Sequence, residues 1–323
     1  MKFRTEIELR PFARRIDHTD RLLALGSCFA AEIGQRLADA KFRIAVNPSG
    51  VLFNPLSIVR TLRRYRDGRP VAKEELQQAD GRWFHYDFHG SLTGESADEA
   101  LARMNAAVAE GARALREASV VLLTLGTAWV YERTDTGEAV ANCHRQPAQR
   151  FRRRRLRVGE VVAAIETALA DELKDKHVLL SVSPVRHLSD GLAGNAASKA
   201  VLRLAAEELA ERHARIDYFP AFEILCDDLR DYRFYADDLT HPSPQAVAYI
   251  WERFRDALLT PQAQALLPRI AEITAAARHR PLHPASEAYR AFCRRQLEAI
   301  GRLPEVDFAE ETAFFRRRIE INS

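Results

Sequence analysis

The chain has 323 residues, a formal net charge of +3, 47% hydrophobic residues and 29% charged residues, which is the composition of a globular protein with a sizeable core. This net charge is too small for a dedicated nucleic-acid-binding protein, which usually carries a stronger basic footprint. We expect a cytoplasmic protein without membrane partners, because no apolar run has membrane length, the N-terminus does not resemble a signal peptide, and the four cysteines form no CxxC pair.

Short apolar runs alternate with helical patterns along the first 258 residues. The runs are continuously apolar, as expected of strands covered on both faces, and they occupy residues 22–25, 120–125, 177–182 and 216–219. Helical spacing is clearest in Phe29, Ile33 and Leu37, and after Ser243, which can cap a helix that has Pro244 in its first turn. This alternation predicts a three-layer α/β/α sandwich with a mainly parallel sheet.

Two regions depart from this alternation. Residues 66–100 interrupt the pattern, and we interpret them as an insertion that forms a small hairpin or lid. Residues 259–323 are helical by pattern, rich in Ala and Arg, and without a strand pattern. They are predicted to be a C-terminal helical extension of a domain that spans residues 1–258.

The first predicted strand ends in Gly26-Ser27-Cys28, a tight turn that carries two adjacent nucleophiles. A nucleophile at a helix N-terminus lies where unpaired backbone N–H groups and the helix dipole favour an anion. This field is expected to lower the pKa of a cysteine, and the N–H of the same residue can help to bind an oxyanion. In the alternative interpretation, Ser27 only caps the helix and Cys28 is a small buried hydrophobic residue.

Asp238 and His241 lie three residues apart, just before the last predicted helix of the sheet domain. This spacing allows one loop to carry a general base and the carboxylate that orients it. A surface histidine in a polar loop would show the same pattern. Together with the upstream nucleophile, however, the pair completes the parts of an acyl-transfer triad. The carboxyl ends of parallel strands share one edge, so we expect these loops to meet in a crevice.

The order of these motifs resembles that of the SGNH (GDSL-type) hydrolase superfamily. Within it, the run Gly26-Ser27-Cys28-Phe29-Ala30 is similar to the family called GSCFA after that motif. Further segments that resemble this family lie at residues 47–50, 53–55, 124–131, 141–144, 183–187 and 231–236. The resemblance covers residues 1–258 and implies an SGNH-like fold.

The resemblance also implies roles for individual residues. It places Cys28 at the position of the superfamily nucleophile, with Ser27 as the alternative, and it places Asp238 and His241 in the last block. Gly50 corresponds to the oxyanion-hole glycine. These residues are therefore the predicted catalytic group.

One block departs from the superfamily pattern. Gly126 and Thr127 match its start, but Ala128 replaces an asparagine that supplies an oxyanion donor. Since one such donor contributes roughly 3–4 kcal/mol to catalysis, a substitute is expected from a neighbouring loop. The candidates are Asn47, Asn54 and Asn142.

Other polar residues are candidates for contacts with the substrate. Cys143 and His144 follow a predicted turn and would bring a thiol and an imidazole to the crevice, although a buried cysteine and a loop histidine would look the same. Further candidates on loops are Thr127, His89, Arg186 and His187. The last two, with Lys199 and Arg233, would bind an anionic group if their loops converge.

No metal or cofactor is expected. Histidine and cysteine ligands are conceivable at His85, His89, Cys143 and His144, but their spacing matches no standard ligand pattern.

Four consecutive arginines at residues 152–155 are the densest charge cluster. Such a basic run can indicate nucleic-acid binding. Only Phe151 provides a neighbouring aromatic, so we interpret the run as a solvated basic patch on a loop.

Taken together, these patterns predict hydrolysis or transfer of an acyl group on an ester or thioester, with a small molecule or a glycan as substrate. A cysteine nucleophile suits either outcome, because its thioester can pass the acyl group to water or to another acceptor. The alternative is a catalytically silent module that binds carbohydrate or acyl chains, which the alanine at position 128 favours.

Overall fold

The computed structural model describes residues 4–320, and these residues form ten strands and ten α-helices. The strands are β1 (Arg21–Gly26), β2 (Arg43–Val46), β3 (Gln77–Ala79), β4 (Arg82–Phe84), β5 (Val120–Leu125), β6 (Trp129–Arg133), β7 (Ala139–Val140), β8 (Phe151–Arg155), β9 (His177–Val182) and β10 (Ile216–Phe219).

Helices flank the strands of the sheet domain and form the C-terminal part of the chain. They are α1 (Cys28–Asp39), α2 (Pro55–Asp67), α3 (Ala97–Glu117), α4 (Val158–Ala170), α5 (Gly191–Arg212), α6 (Ala221–Glu223), α7 (Pro244–Leu258), α8 (Pro261–Arg278), α9 (Glu287–Gly301) and α10 (Ala309–Glu320). A π-helical segment, Ile224–Leu229, continues α6.

Five parallel strands form the central sheet in the order β10-β9-β5-β1-β2. The four predicted strands are present, and the predicted three-layer α/β/α sandwich is confirmed. Strand β2 was not predicted. It lies at the edge of the sheet and is only partly buried, so its sequence lacks the continuous apolar run of an inner strand.

Alternate residues of each inner strand face opposite layers of helices, as the pleat of a strand requires. Leu23 and Leu25 of β1 pack in one core with residues of α2, α4 and α5. Leu22 and Ala24 pack in a second core with residues of α1 and α7. Helices α1 and α7 therefore cover the same face of the sheet.

The region of residues 66–100 contains an antiparallel hairpin formed by β3 and β4. A three-stranded antiparallel sheet, in the order β7-β6-β8, adjoins the carboxyl end of β5. The C-terminal helices α8, α9 and α10 share a core of their own that includes Ile270, Cys293 and Phe315. None of the helices in residues 4–320 is long and apolar enough to cross a membrane.

The prediction that residues 152–155 lie on a loop is wrong, because they form most of β8. Alternating side chains of this strand have different partners. Arg152 and Arg154 both donate to Glu132 on the paired strand β6, each at 2.7 Å. On the other face, the guanidinium of Arg153 lies 4.2 Å from the centroid of the Trp129 ring. The guanidinium of Arg155 lies over the same ring at 5.9 Å, so local pairing accounts for all four arginines.

We expect Gly26→Ala to lower the free energy of unfolding by about 3 kcal/mol or more. Gly26 ends β1 with a φ of 142°, and a Cβ at this position would lie 2.2 Å from the Thr124 carbonyl oxygen on β5. Neither the backbone conformation nor the neighbouring strand accommodates a side chain. Denaturant unfolding monitored by circular dichroism measures the effect.

Gly159→Ala is the matched control, because Gly159 lies in α4 and a Cβ there meets nothing within 4 Å. This change is expected to stabilise the protein by about 0.4–1 kcal/mol. Equal unfolding midpoints for the two variants would contradict the close approach of β1 and β5 at Gly26.

Candidate active site

The turn after β1 places Ser27 and Cys28 in different environments. Ser27 is the N-cap of α1, is 1% exposed, and accepts a hydrogen bond from the Phe29 N–H at 3.3 Å. Cys28 is the first residue of the helix and is only partly buried. The hydroxyl therefore has a capping role, whereas the thiol remains accessible.

The expected lowering of the Cys28 pKa is wrong. Burial raises the pKa of this thiol, and its effect is larger than that of the hydrogen bond from the residue's own backbone. Glu32, one turn further along α1, acts in the same direction as burial. At neutral pH, Cys28 is therefore a neutral thiol that needs a base before it can act as a nucleophile.

Asp238 and His241 form a hydrogen-bonded pair on the loop before α7. His241 Nδ1 lies 2.5 Å from Asp238 Oδ2, while Asp238 Oδ1 accepts from the backbone N–H groups of Thr240 and His241, both at 2.9 Å. These hydrogen bonds, first that of the His241 N–H, hold the pKa of Asp238 well below its usual range. With Nδ1 directed to an ionised carboxylate, the Nε2 of a neutral His241 is left as a proton acceptor.

Cys28 and His241 lie at the same edge of the sheet. Cys28 follows the carboxyl end of β1, and the backbone N–H of Arg186, on the loop after β9, donates to the Thr240 carbonyl at 3.0 Å. Cys28 begins α1 and His241 shortly precedes α7, and these two helices pack on the same face of the sheet. Within residues 4–320, no hydrogen bond joins Cys28 to His241 directly.

The side-chain amide of Asn47 uses its oxygen in a hydrogen bond but leaves its nitrogen without one. Its Oδ1 accepts from the Gly26 N–H at 2.9 Å, which fixes the orientation of the amide. Its Nδ2 is buried and has no hydrogen-bond partner among the described residues. Asn47 is 9% exposed and has a positive φ of 45°. A buried, unsatisfied donor beside the nucleophile turn is an arrangement suited to binding an oxyanion.

The backbone N–H of Gly50, the predicted oxyanion-hole glycine, already has a hydrogen-bond acceptor. Its N–H already donates to the Asn47 carbonyl at 2.7 Å, so this group is engaged within the turn. Its φ is 79°, and a Cβ would lie 2.2 Å from the Cβ of His89. Glycine is therefore required for the turn and for contact with His89, whose Nδ1 accepts from the Ser91 N–H at 3.2 Å.

The other two asparagine candidates differ from Asn47. Asn54 caps α2 by accepting from the Ser57 N–H at 2.9 Å, and its Nδ2 donates to the Val140 carbonyl at 3.3 Å. Asn142 accepts from the His144 N–H at 2.8 Å, and its Nδ2 lies near Gly90. Asn54 is thus fully engaged, while Asn142 lies beside the hairpin region.

Cys143 and His144 pack against the hairpin region. Burial raises the pKa of Cys143 to about 11. His144 Nε2 lies 3.0 Å from the His85 carbonyl, and its ring stacks on that of Phe84 at 4.5 Å. Both side chains are therefore held by structural contacts. Among the described residues, no three His, Cys, Asp or Glu side chains form a group suited to a metal ion.

Lys199 and Thr127 join the loops at the centre of the sheet edge. Lys199 is fully buried on α5, and its Nζ donates to the carbonyls of Gly126 and Ser183, both at 2.7 Å. Burial lowers the pKa of Lys199 to about 7. The hydroxyl of Thr127 lies 3.1 Å from that of Ser198. These contacts join the ends of β5 and β9, and no sequence pattern indicated the contacts of Lys199.

His187 is a second imidazole on the loop after β9. Its backbone N–H donates to Asn195 Oδ1 at 3.0 Å, and its ring packs edge-on against Phe53 at 5.5 Å. Burial, followed by the charges of Lys199 and His241, lowers the pKa of His187 to about 4. This imidazole is therefore neutral over the physiological pH range and cannot attract an anion by charge.

A family model described as the GSCFA family matches residues 21–254. The chain belongs to the GSCFA family. A second model, described as the C-terminal domain of GSCFA domain proteins, matches residues 270–321, which include the second half of α8 and all of α9 and α10. No curated protein matches the chain. The GSCFA match includes both the Cys28 turn and the Asp238–His241 loop.

Proposed function

We propose that this GSCFA protein is an acyl hydrolase or acyltransferase of the SGNH type that acts on an ester or thioester of a small molecule or glycan. The Asp238–His241 pair carries the proposal. Its 2.5 Å contact orients the imidazole in the way that an acyl-transfer triad requires. The three-layer sandwich and the order of the motifs support the placement in the SGNH superfamily.

In the proposed mechanism, Cys28 is the nucleophile and His241 the base. His241 Nε2 takes the proton from the Cys28 thiol as the sulfur attacks the acyl carbonyl. The tetrahedral oxyanion accepts hydrogen bonds from Asn47 Nδ2 and from the Cys28 N–H, which belongs to the first turn of α1 and has no intrahelical acceptor.

The intermediate collapses when His241 returns the proton to the leaving oxygen or sulfur, which leaves an acyl thioester on Cys28. In the second half-reaction, His241 removes a proton from water or from an acceptor hydroxyl, which then attacks the thioester. The acyl group leaves as a carboxylic acid or as a new ester, and the thiol is regenerated. Asp238 stabilises the imidazolium in both halves.

A catalytically silent binding module is the second candidate. Two observations favour it, namely the alanine at position 128 and the lack of a direct hydrogen bond between Cys28 and His241 in the described part of the chain. Catalytic hydrogen bonds are often long until substrate binds, however, so this geometry is compatible with catalysis.

Acylation of one cysteine tests the proposal. After brief exposure to an activated acetyl ester, peptide mapping by mass spectrometry is expected to find one acetyl group on Cys28 in the wild type and none in His241→Ala. Cys143→Ala is the matched control, because it removes another half-buried thiol, and it should label like the wild type. Labelling that is spread over several cysteines, or that persists in His241→Ala, would favour the binding module.

A further inference from the structure

Lys199, His187, Arg233 and Arg186 were candidates for binding an anionic group, and the structure shows which of them has a free charge. Lys199 donates its Nζ to two backbone carbonyls and is 1% exposed. His187 is neutral at physiological pH. Arg233 forms an ion pair with Asp231 at 3.2 Å. This leaves Arg186.

Arg186 carries a cationic group that is held in place by aromatic rings. Its guanidinium carbon lies 3.9 Å from the centroid of the Tyr235 ring and 5.1 Å from that of Tyr232. Within residues 4–320, no carboxylate pairs with it. The Tyr235 hydroxyl also accepts a hydrogen bond from this guanidinium, which has five N–H donors and therefore retains others for a carboxylate or phosphate.

The position of Arg186 connects this charge to the proposed base. Its backbone N–H donates to the Thr240 carbonyl at 3.0 Å, and Thr240 directly precedes His241. The next residue along the loop, His187, is close enough for the charge of His241 to affect its pKa. Tyr235, over which the guanidinium lies, pairs with Pro242, the residue after His241. A fixed cation therefore lies beside the loop that carries His241.

We propose that Arg186 binds an anionic group of the substrate, so that this protein prefers acyl esters or thioesters that carry a carboxylate or a phosphate. The inference rests on the proposed function. The anionic group belongs either to the acyl chain or to the carrier that leaves, and the chemistry of recognition is the same in both cases. Arg186 offers planar donors that match either anion in a bidentate arrangement.

Two pairs of activated substrates test this preference. p-Nitrophenyl butyrate and mono-p-nitrophenyl succinate differ by a carboxylate on the acyl chain. S-phenyl thiobutyrate and S-(p-carboxyphenyl) thiobutyrate differ by a carboxylate on the leaving group. Each compound is compared between wild type and Arg186→Gln, so differences in intrinsic reactivity cancel.

We expect Arg186→Gln to reduce kcat/KM about 10- to 100-fold for one of the two charged compounds and less than about twofold for both neutral ones. The charged compound that responds identifies the part of the substrate that carries the anion. Arg233→Gln is the matched control, because it removes a nearby cation that is already paired with Asp231. It should not change kcat/KM for the charged compounds more than for the neutral ones. Equal losses on charged and neutral compounds would show that Arg186 only positions the loop, and would overturn the proposal.

A binding measurement separates failure of this inference from failure of the proposed function. In Cys28→Ala, which lacks the nucleophile, isothermal titration with N-butylsuccinamate and with p-butyramidobenzoate reports anion binding without chemistry. We expect Arg186→Gln, added to Cys28→Ala, to raise the Kd of one of these amides about tenfold or more. An unchanged Kd for both overturns the anion site even if Cys28 proves to be a nucleophile.

Discussion

Replacing His241 with glutamine is expected to slow acylation of Cys28 by about 10²- to 10⁴-fold at neutral pH, the usual contribution of a positioned general base. Burial raises the pKa of the Cys28 thiol, so few molecules hold a thiolate without help. Glutamine retains much of the shape and polarity of the side chain but cannot take a proton. Stopped-flow release of p-nitrophenolate, with mass spectrometry of the acylated protein, measures the rate.

The pH dependence gives this prediction a distinctive signature. In His241→Gln, the residual rate should climb steadily with pH, because only the thiolate fraction of Cys28 reacts and its pKa lies above the usual range for cysteine. The deficit relative to the wild type should therefore shrink in alkaline solution. A constant deficit at all pH values would indicate a lost contact rather than a lost base.

His213→Gln provides the control for the removal of a histidine. His213 follows α5, at the amino end of β10 and so at the opposite edge of the sheet from Cys28, and its Nε2 lies 3.1 Å from Glu166. This variant should acylate Cys28 like the wild type. If His241→Gln also retained the wild-type rate, some other group would have to accept the proton of Cys28.

The inner strands were predictable from sequence because their environment is uniform. β5 and β9 are covered by helices on both faces, and this burial requires the continuous apolar runs that the sequence shows. β2 was missed because an edge strand of four residues, beginning with Arg43 and only partly buried, needs no such run. The position of the Arg residues in β8 was also missed. Their partner Glu132 lies on another strand, 20 residues from Arg152.

The candidate site was predictable where it is local in sequence. Asp238 and His241 are three residues apart, so one loop is sufficient to join them. The pKa of Cys28 depends instead on how deeply the fold buries the thiol, and the helix N-terminus alone suggested the wrong direction. The free amide of Asn47 likewise depends on the Gly26 N–H, 21 residues away in sequence. Such long-range contacts leave no pattern in a single sequence.

The Asn47 amide leads to a second large expected effect. We expect Asn47→Asp to lower kcat for acyl transfer by about 10²- to 10³-fold, the range found when one oxyanion donor is removed. The aspartate keeps an oxygen that can accept from the Gly26 N–H, so the turn that holds Cys28 is preserved. It replaces the unpartnered Nδ2 with an acceptor, which cannot stabilise the negative charge of the tetrahedral intermediate. Steady-state kinetics with a neutral ester should show the loss in kcat, with a much smaller change in KM.

Asn54→Asp separates this effect from a general cost of the substitution. Asn54 is also buried and also accepts a backbone N–H through its Oδ1, but its Nδ2 donates to Val140 rather than being free. Both variants introduce a carboxylate at a buried position, so both should lose stability in thermal unfolding. Only the Asn47 variant should lose kcat out of proportion to that stability. Parallel losses of kcat in the two variants would remove Asn47 from the oxyanion site and leave the Cys28 N–H to bind the intermediate without it.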